Sequence, residues 1–167
     1  MIRNFAVGMV CLLGIATLLP VSVPASAADQ NAPWGAAQPA AEQVYLPQKV
    51  VFDVAVDTPE AIDALLDRMS GLSVEYGADP FDASVVAVLH GPEMHFFTHD
   101  ALAEHDELMR RAESLTVGGI IEFRMCERAA ANQGIQPGDV HGFVTMVPMG
   151  DAEIVKLQQE ENYAYIK

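Results

Sequence analysis

Positive charge is scarce in this chain: 9 Lys and Arg stand against 23 Asp and Glu, a formal net charge of −14. Such a surface repels phosphate backbones and anionic lipid, which argues against nucleic acid or a membrane surface as partner. Cysteine is nearly absent too, with 2 in the chain, Cys11 and Cys126. There is no Cys-x-x-Cys pair, no Gly-x-Ser-x-Gly elbow and no Gly-rich phosphate loop, so thioredoxin-type and hydrolase readings lack their signatures. Nor does any apolar run reach the roughly 20 residues that a transmembrane helix needs.

The one long apolar run, Phe5 to Leu19 (FAVGMVCLLGIATLL), follows Arg3 and is broken by Pro20 and Pro24. Ala25-Ser26-Ala27 comes next. A basic start, a short apolar stretch and a small-residue site together predict a secretory signal peptide over residues 1–27, cleaved after Ala27. The expected product is periplasmic, soluble and free of the membrane after cleavage. Cys11 leaves with the leader, and the loss of Arg3 makes the remainder one charge more negative. Cys126 is then the lone thiol, and it cannot form an internal disulfide.

Residues 28–47 (ADQNAPWGAAQPAAEQVYLP) have no apolar period and read as a linker or arm that Trp34 and Tyr45 could pin down. From residue 48 onward strands and helices alternate. Lys49–Val56 is a β-branched strand. Thr58-Pro59-Glu60 starts a helix with an N-cap, a proline at the first helical position and an acid in the first turn. Ser84–Leu89 (SVVAVL) is a continuous apolar strand of the kind covered on both faces. A helix is expected over about 100–116, with Asp106–Arg110 and Glu107–Arg111 pairs on its wet side. A third strand, Ile120–Met125, stops at Cys126. A short helix, a fourth strand over 143–147, a last helix over 151–161 and a short strand over 163–166 complete the chain. This alternation predicts a three-layer α/β domain with a mainly parallel sheet.

Parallel strands place their carboxyl ends on one edge, where such folds gather ligands. Here that edge carries Asp57, His90 with Gly91, Cys126, and Met149 with Gly150. Cys126 lies where a strand hands over to a helix, whose N-terminus favours a thiolate. Arg124 and Arg128 would help, while Glu122 and Glu127 oppose. Position alone leaves a buried, inert cysteine equally open. Export favours the reactive reading, because a purposeless thiol there is an oxidation hazard. Asp53 and Asp57 could do acid–base work, although Asp57 beside Thr58-Pro59 is more economically turn and cap chemistry. His90, His95, His99 and His105 are close in sequence, and His95 and His99 would share a helical face if that stretch were helical. They lack a closed ligand set, so no metal is expected. No cofactor is implied.

Four segments carry a family resemblance: KVVFDVAV, VVAVLHGPEMHFF, IIEFRMC and the tail FVTMVPMGDAEIVKLQQEENYAYIK. From Gln48 to Lys167 the chain resembles the DsrE/DsrF-like sulfur-relay family, and more narrowly its small exported members. The resemblance implies an α/β/α fold with a five-stranded sheet, and assembly into dimers, trimers or hexamers. It also implies a cysteine after the third strand that carries sulfur as a persulfide between thiol proteins, the place that Cys126 occupies. The chain departs from the family's polar turn after that cysteine, having Glu127-Arg128-Ala129-Ala130-Ala131 instead. The reading is a sulfur carrier more than a turnover enzyme. Its rivals are a periplasmic metal or small-ligand binder using the His90–His105 segment, and a non-catalytic oligomeric scaffold.

Overall fold

In the computed structural model the structure describes residues 43–167 throughout, with Trp34, Ala37, Pro39 and Ala40 before them. The signal-peptide segment, residues 1–27, lies outside the described residues. The compact unit spans Gln43–Lys167, and Tyr45 at its start is exposed. Among the described residues no helix is long and apolar enough to cross a membrane.

Five strands form one parallel sheet in the order β4-β3-β2-β1-β5. They are β1 (Lys49–Val54), β2 (Ser84–Leu89), β3 (Ile121–Cys126), β4 (Val144–Val147) and β5 (Ala164–Ile166). The helices are α1 (Pro59–Glu75), α2 (Leu102–Thr116), α3 (Glu127–Asn132) and α4 (Gly150–Glu160). β2 occupies the centre of the sheet, and its residues from Val85 to Leu89 are all fully buried. That is why its sequence is apolar without alternation. β1 stops at Val54 rather than Val56, because its partner β2 ends at Leu89, opposite Val54.

Right-handed crossovers that step the same way along a sheet place their helices on one face. The steps β1 to β2, β2 to β3 and β3 to β4 share a direction, and the return from β4 to β5 reverses it. The core divides accordingly. A large cluster joins Val50, Phe52, Val85, Leu89, Ile121, Phe123 and Met125 to Ile62, Leu66 and Met69 of α1, Met109 and Ala112 of α2, and Ala130 of α3. A small cluster on the opposite face joins Val51, Val86 and Val88 to Ile154 and Leu157 of α4 and to Tyr163. Three helices therefore cover one face and α4 alone covers the other.

The caps follow local chemistry. The Thr58 side chain accepts from the Ala61 N–H at 3.2 Å, and Pro59 sits at the first turn of α1. Gly77, at φ +81°, takes the left-handed exit that a side chain would oppose. α2 matches the expected helix, but the segment between β2 and α2 is not α-helical. Pro92–Phe97 and His99–Ala101 form two short 3-10 turns, separated by extended Thr98, which bridges to Val140. Gly91-Pro92 starts this segment, and burial of Met94, Phe96 and Phe97 holds it down.

Of the two expected ion pairs, one forms and the other does not. Asp106 and Arg110 pair at 2.8 Å as expected. Arg111 instead turns to Asp63 and Asp67 on α1, not to Glu107. These two acids stand one turn apart and match the fork of the guanidinium.

Candidate functional site

The carboxyl edge of the sheet brings together three of the residues expected there. Gly150, the first residue of α4, is buried. A β-carbon at Gly150 would lie 3.2 Å from Cβ of Cys126, 3.2 Å from Cβ of His90 and 3.3 Å from Val88 Cγ1. A methyl there would press on both side chains by a few tenths of an ångström, so glycine suits the close start of α4. Met149 stands at the N-cap of α4 and is partly exposed. The loop after β3 leads to α3 on the large-cluster face, while the loop after the adjacent β4 leads to α4 on the opposite face. Neighbouring strands whose connections diverge open the crevice in which such sheets hold ligands. Cys126 sits at that divergence.

Cys126 is both the last residue of β3 and the N-cap of α3. Its Sγ accepts from the Ala129 N–H at 3.4 Å. The reactive reading would want an open thiol, but in the single chain Cys126 is covered, at 5 % exposed. The expected cationic help is corrected as well. Arg124, two residues earlier on the same face, donates to Glu122 at 2.8 Å and to Glu153 at 2.5 Å, so its charge is already balanced. Arg128 and Glu127 point to solvent.

His90 follows β2 directly. Its Nε2 lies 2.5 Å from Asp53 Oδ1 on β1, with both side chains mostly buried. The second oxygen of Asp53 accepts from the Tyr165 hydroxyl of β5. Burial pushes the Asp53 carboxyl up, but Tyr165, His90 and the charge of Lys167 together outweigh it and hold it below its ordinary value. Of the two carboxylates near the end of β1, the one in the cluster is therefore Asp53. Asp57 is exposed in the loop before α1, and the capping role falls to Thr58.

A fully buried acid absent from the sequence reading organises this edge. Glu93 Oε1 accepts from the backbone N–H of His90 at 2.7 Å and of Gly91 at 2.8 Å. Its Oε2 has no partner, and burial raises its pKa above the ordinary carboxylate value. Gly91 carries no β-carbon, which would meet Glu93 Oε2 at 2.7 Å and Ala55 Cα at 3.3 Å. Gln133, just after α3, donates to the Gly91 carbonyl at 3.0 Å. The His90-Gly91 corner is thus gripped from three sides.

The other histidines scatter. The His95 ring bonds the Pro92 carbonyl, His105 packs edge-on to Phe96, and His99 packs edge-on to His141. The helical spacing that would have joined His95 and His99 is lost across Thr98. Among the described residues, no group of three or more His, Cys, Asp or Glu is arranged to hold a metal ion. Two cavities lie elsewhere. One of about 600 Å³ runs between α1 and α2, walled by Glu60, Asp63, Glu104 and Glu107; another of about 240 Å³ lies between α2 and His141–Phe143. The first is a wet acidic groove, already crossed by the Arg111 ion pairs. The Cys126 thiol and the His90–Asp53 pair lie instead at the carboxyl edge, and the kinds of side chain gathered there make it the candidate site.

No family model and no curated protein matches the chain. Among solved structures it is similar to a protein of unknown function from Methanobacterium thermoautotrophicum. The TM-score is 0.56 at 22 % identity, covering 71 % of this chain and 97 % of that one. At that identity the likeness shows the fold: a three-layer α/β/α domain with a five-stranded sheet, here wholly parallel.

Proposed function

We propose that this chain is an exported, self-associating sulfur carrier of the DsrE/DsrF-like kind, holding a persulfide on Cys126 and passing it to a thiol protein. The single observation that supports it most is the meeting of Cys126, His90 and Gly150 at the divergence of β3 and β4. The step conserves oxidation level. The Cys126 thiolate attacks the outer sulfur of a donor persulfide; a new S–S bond forms on Cys126, the donor's S–S bond breaks, and the donor leaves as a thiolate. Transfer onward is the same exchange run toward an acceptor. No electrons leave the pair, and no cofactor is required. Loading a thiol this buried requires the packing around it to yield; Gly150 crowds Cys126 Cβ, and Met149 beside Gly150 is exposed.

The test is intact mass after treatment with inorganic polysulfide. The native protein should gain one reducible sulfur atom, and Cys126→Ser none. A thiol that never gains sulfur, and alkylates only after denaturation, makes Cys126 a core residue and leaves the scaffold reading.

A further inference from the structure

Among the described residues, two buried side-chain polar atoms have no hydrogen-bond partner, Glu93 Oε2 and His141 Nε2. Both belong to titratable groups, and both grip one segment, the strap of 3-10 turns from Pro92 to Ala101 that joins β2 to α2. Glu93 holds its first end, where Oε1 accepts from the His90 and Gly91 N–H groups. His141 holds its second end. There the His141 N–H donates to the Phe97 carbonyl at 3.0 Å, and Thr98 bridges to Val140. The His99 ring stands edge-on to the His141 ring, with centroids 4.7 Å apart. We infer that the strap is a pH-sensitive latch: neutral His141 keeps it shut, and a proton on that ring releases its Thr98 end.

The His141 ring occupies a place that suits its neutral form. It is 8 % exposed and lies parallel to Phe143 at 5.7 Å. A charged ring there would lose its hydration and hold an N–H at Nε2 with no acceptor in reach. The charges facing it do not compensate. On the strap, His99 stands against the ring and repels its charge. On α2, Glu113 attracts that charge but is exposed to water, while Asp106 and Arg110, which line the same cavity, pair with each other at 2.8 Å. In the turn before β4, the Asp139 carboxylate is taken by the Gln136 N–H. Burial first, and His99 second, therefore hold His141 below the ordinary histidine value against the pull of Glu113. The proton is taken more readily in water. A ring that swings out to meet it gives up the His99 contact and loosens the bridge behind it.

Acid acts oppositely on the two ends. A carboxyl whose pKa is raised by burial is neutral at low pH, so Glu93 stays seated as the medium acidifies. Histidine charges in that same direction. The strap therefore hinges near Gly91-Pro92 and opens at Thr98. With its folded pKa below the unfolded 6.5, His141 leaves the closed strap at full strength above 6.5 and weakens it as pH falls from there to the folded value. His141 is also one wall of the cavity of about 240 Å³ beside α2, with Leu102, Met109 and Phe143, so its departure enlarges that cavity.

The experiment follows amide hydrogen exchange by NMR in the full chain between about pH 7.5 and 5, corrected for the intrinsic effect of pH. The His141 and Ala101 amides should be less protected than those of β2. They should lose about threefold to tenfold of their protection per pH unit below 6.5, tenfold being the limit for one proton. The His90 and Gly91 amides, held by Glu93, should stay better protected than that of His141 at the acid end; equal protection there overturns the hinge. His141→Phe, which keeps a ring against Phe143 and cannot titrate, should flatten the dependence. If it fails to fold, His141→Gln carries the same test. Native protection that does not change with pH, or a change that persists in the folded variant, overturns the latch. So does equal protection of strap and β2 at every pH, which would mean that the proton enters by global unfolding alone.

Discussion

The two faces of the sheet are built on different terms. The face under α1, α2 and α3 is a broad hydrocarbon core, in which Ile62, Leu66, Met69, Leu89, Phe97 and Met125 are sealed from water. The face under α4 has a small apolar patch, flanked by Asp53, Glu122, Arg124, Glu153 and Tyr165. One helix cannot cover five strands, so the uncovered positions of β1, β3 and β5 take polar residues, which must then find partners. Stability is concentrated on the first face. The second supplies the groups that could do chemistry, at the edge where His90 and Cys126 meet.

The largest effect that sharpens this contrast is Leu66→Ala. Leu66 is fully buried in the thick core, and losing its side chain should cost about 2–5 kcal/mol. Urea unfolding measures it; a cost under about 1 kcal/mol would mean the thick face is not where stability resides.

Gly150→Ala tests the other side. Its methyl would meet Cys126, His90 and Val88 at 3.2–3.3 Å, so a cost of about 1–3 kcal/mol is expected from overpacking. The same methyl should slow alkylation of Cys126. A variant as stable and as reactive as the native chain would show that α4 is free to move off this edge.

The smallest effect is a pH dependence, read from Glu93→Gln. A carboxyl whose folded pKa is raised contributes stability that is fully present below its unfolded value, 4.5, and is lost as pH rises through the raised one. The native protein should therefore lose stability relative to Glu93→Gln as pH climbs through that window, since glutamine does not titrate. Asp53 works in the opposite sense and lower down. Its depressed carboxyl contributes stability present above 3.8 and lost as pH falls through the folded value, so the two windows separate. Thermal unfolding between about pH 4 and 8 decides it, and parallel curves for the two proteins would show that Glu93 does not titrate there.

Much of the scaffold was legible because its signals are local. β2 coincides with the SVVAVL run, and α1 begins at the Thr58 cap with Pro59 behind it. The handover at Cys126 was legible as well, where an apolar strand meets an alanine-rich turn. The site's wiring was not. Asp53 and His90 are 37 residues apart and Tyr165 and Asp53 are 112 apart, so no window along the chain contains either pair. Asp53 did leave a trace: an acid inside a β-branched strand, at a position alternating away from Val50, Phe52 and Val54. Arg111 misled for the same reason. Glu107 is its neighbour along the helix, but Asp63 and Asp67 are nearer in space.

The sequence by itself determined the alternation of strands and helices, hence a parallel sheet with His90, Cys126 and Gly150 at its carboxyl edge, because periodicity, caps and breakers act over a few residues. Only the tertiary structure decided that Asp53 rather than Asp57 joins that edge, that Arg124 is already paired, that Glu93 is buried beneath Gly91, and that Cys126 is covered. Each of these depends on which side chains face one another once helices pack on a twisted sheet. Burial and charge pairing at such distances are properties of the packed chain and are absent from any short stretch of it.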